Sequence, residues 1–103
     1  MEVLEKRDVI KETVKKYFEN NKEYDNALLY ASGSEQRHII EMGTSILCTK
    51  WEVGFPGGSF VQAVVENDLA KAISTADNTN IKALKFYSQL IYNVGMPIEL
   101  LNK

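Results

Sequence analysis

From residue 3 to about residue 20 the apolar side chains Val3, Leu4, Ile10, Val14, Tyr17 and Phe18 fall in one broad stripe at about 100° per residue, and Glu and Lys fill most other positions. This spacing predicts a surface helix with one buried face. Glu12 and Lys16 stand four apart on its solvated side, the spacing of a supporting ion pair. Arg7 breaks the pattern, because it projects close to Val14 and Phe18 inside the apolar stripe. It is either a side chain that buries its stem and lifts its head to water, or a cation held against a ligand phosphate or a partner carboxylate.

Residues 20–26 are polar and turn-rich, and residues 27–31 read as a short helix. Ser32 followed by Glu35 is a capping-box pattern, so a second long helix is expected from about residue 34 to residue 50. Its stripe is Ile39, Ile40, Met42, Ile46, Leu47 and Trp51, with Gly43 near the centre of that face. A helical glycine costs about 1 kcal/mol against alanine, so Gly43 marks a close approach by another backbone or a ligand.

Gly54, Phe55, Pro56, Gly57 and Gly58 form a loop, after which Ser59 is expected to cap one continuous third helix running from Phe60 to Ala76. Residues 77–80 end that helix and cap a fourth, from about residue 78 to residue 93. On this last helix Ala83, Leu84, Phe86, Tyr87, Leu90, Ile91 and Val94 occupy close to half the circumference. One core needs a stripe of only about 100°. The surplus favours burial against a second copy; a central place in a monomeric bundle is the alternative. Gly95, Met96 and Pro97 close the helix, and residues 98–101 are left as a short docking tail.

The expected fold is therefore all-α: a single helical domain over residues 1–103, built as a small bundle of four to five helices and oligomerising through its C-terminal helix. Dimer or tetramer is expected, since closed even symmetries dominate. A length of 103 residues with 45% hydrophobic and 25% charged content suits one core. Cys48 is the only cysteine and can form no internal disulfide, which points to reducing, cytoplasmic surroundings. The N-terminal residues alternate charge instead of building a signal peptide, and no apolar run reaches membrane-span length, so no membrane partner is expected. Twelve basic residues against fourteen acidic ones leave no global excess for duplex nucleic acid. A local positive pocket for one small anion remains open.

The search for reactive groups excludes more than it finds. His38 has no Cys, Asp or Glu at metal-ligand spacing, and Ser59 lacks the pattern of a nucleophile elbow. Glu66, Asp68 and Asp77 lie on different helical faces, and there is no P-loop or dinucleotide fingerprint. The expectation is a binding protein and not an enzyme, with no metal and no cofactor. The segment from Trp51 to Asn80 stands out as the place for a nucleotide pocket. There Trp51 and Phe55 offer stacking rings, while Gly57, Gly58 and Ser59 offer backbone amides at a helix start. Asn67, Asp77 and Asn80 are candidates for ribose or base edges, although Asp77 and Asn80 equally fit as helix caps. Arg7, Arg37, Lys50 and Lys71 are the candidate cations for phosphate. The bland alternative is that the Pro-Gly-Gly run is only a turn and the two aromatics are core.

The run Phe55-Pro56-Gly57-Gly58-Ser59-Phe60-Val61-Gln62-Ala63-Val64-Val65-Glu66-Asn67-Asp68-Leu69, followed by Ala72, Ala76-Asp77, Asn80 and Ala83-Leu84, resembles a widespread family of short tailed-phage proteins. Tyr92-Asn93 belongs to the same likeness, which covers about the C-terminal half of the chain. This family is in turn similar to the phage anti-CBASS sponges, small helical oligomers that sequester cyclic dinucleotide alarm signals. The sequence departs from many relatives in having Gly95-Met96-Pro97-Ile98 where they carry Cys-Trp-Gly-Ser. The resemblance implies a protein of the infected bacterial cytoplasm that binds a cyclic dinucleotide such as 3′,3′-cGAMP without cleaving it. A small module that docks on and inhibits a host protein is the competing expectation.

Overall fold

A computed structural model describes residues 2–101, and every regular element among them is helical. Helix α1 spans Val3–Asn21 and is followed by a 3-10 turn, Lys22–Tyr24. Then come α2 (Asn26–Leu29), α3 (Gly33–Lys50), α4 (Ser59–Val65), α5 (Leu69–Thr75), α6 (Asn78–Lys82), α7 (Leu84–Asn93) and α8 (Ile98–Leu101). Among the described residues no helix is long and apolar enough to cross a membrane.

The two long helices form where the periodicity places them. The capping box at α3 is complete: the Glu35 amide donates to Ser32 Oγ at 3.2 Å and the Ser32 amide to Glu35 Oε1 at 2.9 Å. The expected Glu12–Lys16 pair does not form, because Glu12 binds Lys15 instead at 3.4 Å. Ile10, Val14 and Phe18 of α1 face Ile39, Ile46 and Leu47 of α3, and all six are essentially inaccessible to solvent.

Helix α7 lies across this pair, and Gly43 is what admits it. A Cβ at Gly43 would stand 2.8 Å from Leu90 Cδ1 and 3.0 Å from Val14 Cγ1. The close approach expected there is made by side chains of α7 and α1. Phe86 meets Phe18 edge to face with centroids 5.7 Å apart, and Tyr87 meets Phe60 of α4 in the same manner at 5.9 Å. Phe86, Tyr87 and Leu90 are fully buried by the chain's own core. Most of the breadth of the last helix is thus filled within one copy, and of its apolar residues only half-buried Leu84 and Ile91 and exposed Tyr92 are left on α7 for contact with another molecule.

Two helices expected to be continuous are broken. The third ends at Val65, where the Asp68 amide reaches Ala63 O at 2.8 Å and the Asn67 amide reaches Val64 O at 3.2 Å. This paired closure requires a left-handed residue, supplied by Asn67 at φ 62°. Asp68 then caps α5 by accepting the Lys71 amide at 3.1 Å. A local stop followed at once by a local start outweighs the apolar repeat that runs through both. Ser59 is the first helical residue of α4 and not its cap; that position is Gly58, with no side-chain bond. The fourth helix is interrupted at Ala83, whose amide is shared between Thr79 O and Asn80 O. Ala83 is fully buried, so the corner is set by packing.

The end of α3 uses the same left-handed closure with a less suitable residue. The Val53 amide bonds Cys48 O at 2.8 Å and the Glu52 amide bonds Thr49 O at 3.3 Å, with Glu52 at φ 57°. A side chain with a Cβ is strained in this region, whereas glycine is not. Glu52→Gly is expected to raise the unfolding free energy by about 0.5–1 kcal/mol, since relief of strain exceeds the added chain entropy. Urea denaturation of the two proteins checks this as a shift of midpoint at unchanged slope.

Candidate functional site

The residues expected to form one pocket are spread over several places. Trp51 ends α3, half-buried against the core. Its cleft of about 320 Å3 is shared with Lys6, Glu52, Met96 and Leu100. Phe55 is 96% exposed and walls no pocket with it. Gly57 is a packing residue: its amide donates to Thr49 Oγ1 at 2.9 Å, its carbonyl accepts from Gln62 Nε2 at 2.6 Å, and a Cβ would lie 2.7 Å from Ser45 Oγ. Gly58 and Ser59 are exposed at the start of the seven-residue α4.

Asp77 and Asn80 hold a corner of the fold. Asp77 Oδ1 accepts the Asn80 amide at 2.7 Å, and Oδ2 meets His38 Nε2 at 3.0 Å, tying the start of α6 to α3. Asn80 is 3% exposed, and its Oδ1 accepts the Tyr87 hydroxyl at 2.7 Å. Burial, with the Asp77 charge adding to it, pushes the Tyr87 phenol well above its usual range and keeps it a donor. Asp77 is thus the cap that the sequence offers as its alternative role, whereas Asn80 is no cap: it lies inside α6 and its side chain serves the core.

Arg7 lies along the α1–α3 seam. Its Nη2 binds Glu41 Oε2 at 3.1 Å, and its Nη1 is 3.9 Å from Cys48 Sγ. Lys11 binds the other Glu41 oxygen at 2.9 Å, and this hydrogen bond, with the charges of Lys11 and Arg7, holds the carboxyl below its ordinary value. The carboxylate that meets Arg7 is therefore one from its own chain. Burial pushes the Cys48 thiol up despite the nearby guanidinium, so it stays protonated at neutral pH. Arg37 borders a small cleft with Lys11 and Lys15, but both lysines already hold carboxylates and no ring stands there.

Asn67 opens onto a groove of about 400 Å3 where the ends of α3 and α4 face α7. Val64, Val65 and Ile91 make its apolar floor, and Lys50, Asn67, Ser88 and Tyr92 stand around it. The Tyr92 ring is 87% exposed. Lys50 Nζ donates to Ile91 O at 2.7 Å, which satisfies a carbonyl of the last turn of α7. An ammonium has three donors, so two remain for an anion. No acid lines this groove, whereas Lys6 in the Trp51 cleft is offset by Glu52. A ring, a cation and two hydrogen-bonding side chains over an apolar floor can hold a flat, anionic molecule. Two of these residues, Asn67 and Lys50, are among the candidates that the sequence offers. Ser88 and Tyr92 were missed as site residues; the signal was a large aromatic on the wheel away from the Phe86–Leu90 stripe.

Tyr87→Phe is expected to cost about 1–3 kcal/mol of stability by leaving Asn80 Oδ1 buried without its donor. Thermal and urea unfolding measure that loss, while ligand binding by the folded variant should be unchanged. Compared with protein-family models, with curated proteins and with solved structures, the chain matches none, so the site is defined by its own geometry.

Proposed function

We propose that this protein binds and sequesters a cyclic dinucleotide such as 3′,3′-cGAMP without cleaving it, using the groove between Lys50 and Tyr92. The observation that carries this reading is the coincidence in that groove of an exposed ring, a cation with free donors and no opposing acid. The base stacks on Tyr92 over Val64 and Ile91, and Lys50 meets the phosphate. The resemblance of residues 55–84 to the tailed-phage family supports the ligand class, and with it a setting in the infected bacterial cytoplasm. A groove of about 400 Å3 is at the small end for a drug-sized ligand and suits one half of such a molecule. The second half is met by the same groove of another copy, which makes the acting form a dimer or a tetramer of dimeric units.

A second reading has one observation in its favour. Leu69 and Ile73, four apart on one face of α5, are 67% and 48% exposed, which suits docking on a host protein. Under that reading Ile73→Glu abolishes inhibition of the partner; under the nucleotide reading it leaves ligand affinity unchanged.

The deciding experiment is retention. Purified protein is mixed with 3′,3′-cGAMP, washed and heat-denatured, and the released nucleotide is identified. Intact nucleotide is expected; altered nucleotide or no retention overturns the proposal. Tyr92→Ala should weaken binding roughly 5- to 150-fold in calorimetry, the range for losing one base–aromatic stack. Its melting curve should not move, because so exposed a ring contributes little to the core.

A further inference from the structure

The first turns of α1 and the short α8 converge on the Trp51 cleft, which Lys6 lines from one side and Leu100 and Leu101 from the other. The loop after α3 closes in as well, since a Cβ at Gly54 would lie 3.2 Å from Val3 Cγ1. Around this cleft of about 320 Å3 the side chains of Val3, Leu4, Phe55, Ile98 and Leu101 are all exposed, Leu4 and Ile98 at 73% each. A single exposed hydrophobe is ordinary, but five gathered at one apolar cleft mark a surface made for contact.

The charge at this end is one-sided. Glu2, Glu5, Glu52 and Glu99 stand on these same segments beside Lys6, and among the described residues none of the four forms an ion pair. Glu2 and Glu5 cap α1 and Glu99 lies in the first turn of α8, so these three also serve their helices. Glu52 serves no helix in that way, and it holds a left-handed position that glycine fills with less strain. A partner that covers this face must be apolar towards Trp51 and cationic at the edges. A second copy would set like carboxylates against each other, which complementary interfaces avoid. We propose that this end of the molecule, independently of the groove, docks a basic amphipathic segment of another protein, with an apolar side chain in the Trp51 cleft and lysine or arginine at Glu52 and Glu99.

Trp51 is the only tryptophan, so its emission reports on this site alone. The probe is a tryptophan-free helical peptide with leucine on one face and lysine on the other, and its control carries glutamate in place of lysine. The lysine peptide is expected to shift Trp51 emission and to bind more weakly as salt is raised, while the glutamate peptide does neither. Glu52→Gln with Glu99→Gln should weaken binding roughly 2- to 30-fold, the range for losing two exposed ion pairs. Glu23→Gln with Glu66→Gln, the same change of net charge elsewhere on the surface, should leave it unchanged, as should Tyr92→Ala in the groove. Leu4→Ser with Leu101→Ser should weaken binding roughly 10-fold, and the melting curves of these variants should match the native one because all the side chains are exposed. The proposal is overturned if the lysine peptide leaves Trp51 unmoved, if the glutamate peptide binds as well, or if the Glu52 and Glu99 pair of changes does no more than the Glu23 and Glu66 pair. It is overturned too if sedimentation shows a dimer that Leu4→Ser with Leu101→Ser dissociates, since a second copy is then the occupant. None of these results bears on nucleotide binding in the groove.

Discussion

The absence of a side chain at Gly43 is the constraint on which the rest of the molecule depends. With Leu90 Cδ1 at 2.8 Å and Val14 Cγ1 at 3.0 Å from where a Cβ would be, any side chain at that position would have to displace two fully buried neighbours, so α7 lies this close to α3 and α1 because the position is bare. Once seated, α7 buries Phe86, Tyr87 and Leu90 and draws Phe18 of α1 and Phe60 of α4 onto its rings. The opposite flank of the same helix then has to face outwards, and it carries Ser88 and Tyr92. Core and groove are two sides of one placement.

The second organising element is the repeated left-handed closure. At the end of α3 it falls on Glu52 and at the end of α4 on Asn67. Each reversal keeps the following chain close to the helix it leaves. After Glu52 this brings Val53 back against the core, and after Asn67 it sets the Asp68 carboxylate to cap α5 at once. Lys50, a residue before the first of these turns, completes the join by bonding the last turn of α7 across the gap.

Much of the fold was legible in the sequence where the governing interactions are local. The stripes of α1 and α3, the Ser32–Glu35 box and the oddity of Gly43 needed no knowledge of neighbours. The breaks at Asn67 and Ala83 were not legible, because an apolar repeat continues through both while caps and burial decide the backbone. The site was legible only in part. Asn67 and Lys50 carried visible polar and charged signals, but the groove exists because α3, α4 and α7 converge, and a wheel drawn for one helix cannot show that. Trp51 and Phe55 stand close in sequence, yet the turn after α3 leaves one ring against the core and the other in water.

The packing of Phe86 on Phe18 joins residues far apart in the chain, and among the described residues five of the eight helices are no longer than seven residues, too short to persist alone in water. Nothing that emerges before α7 can complete a core. The short helices are therefore held by the core they help to build, and the seat of α7 is closed over a span of chain that includes nearly all of them.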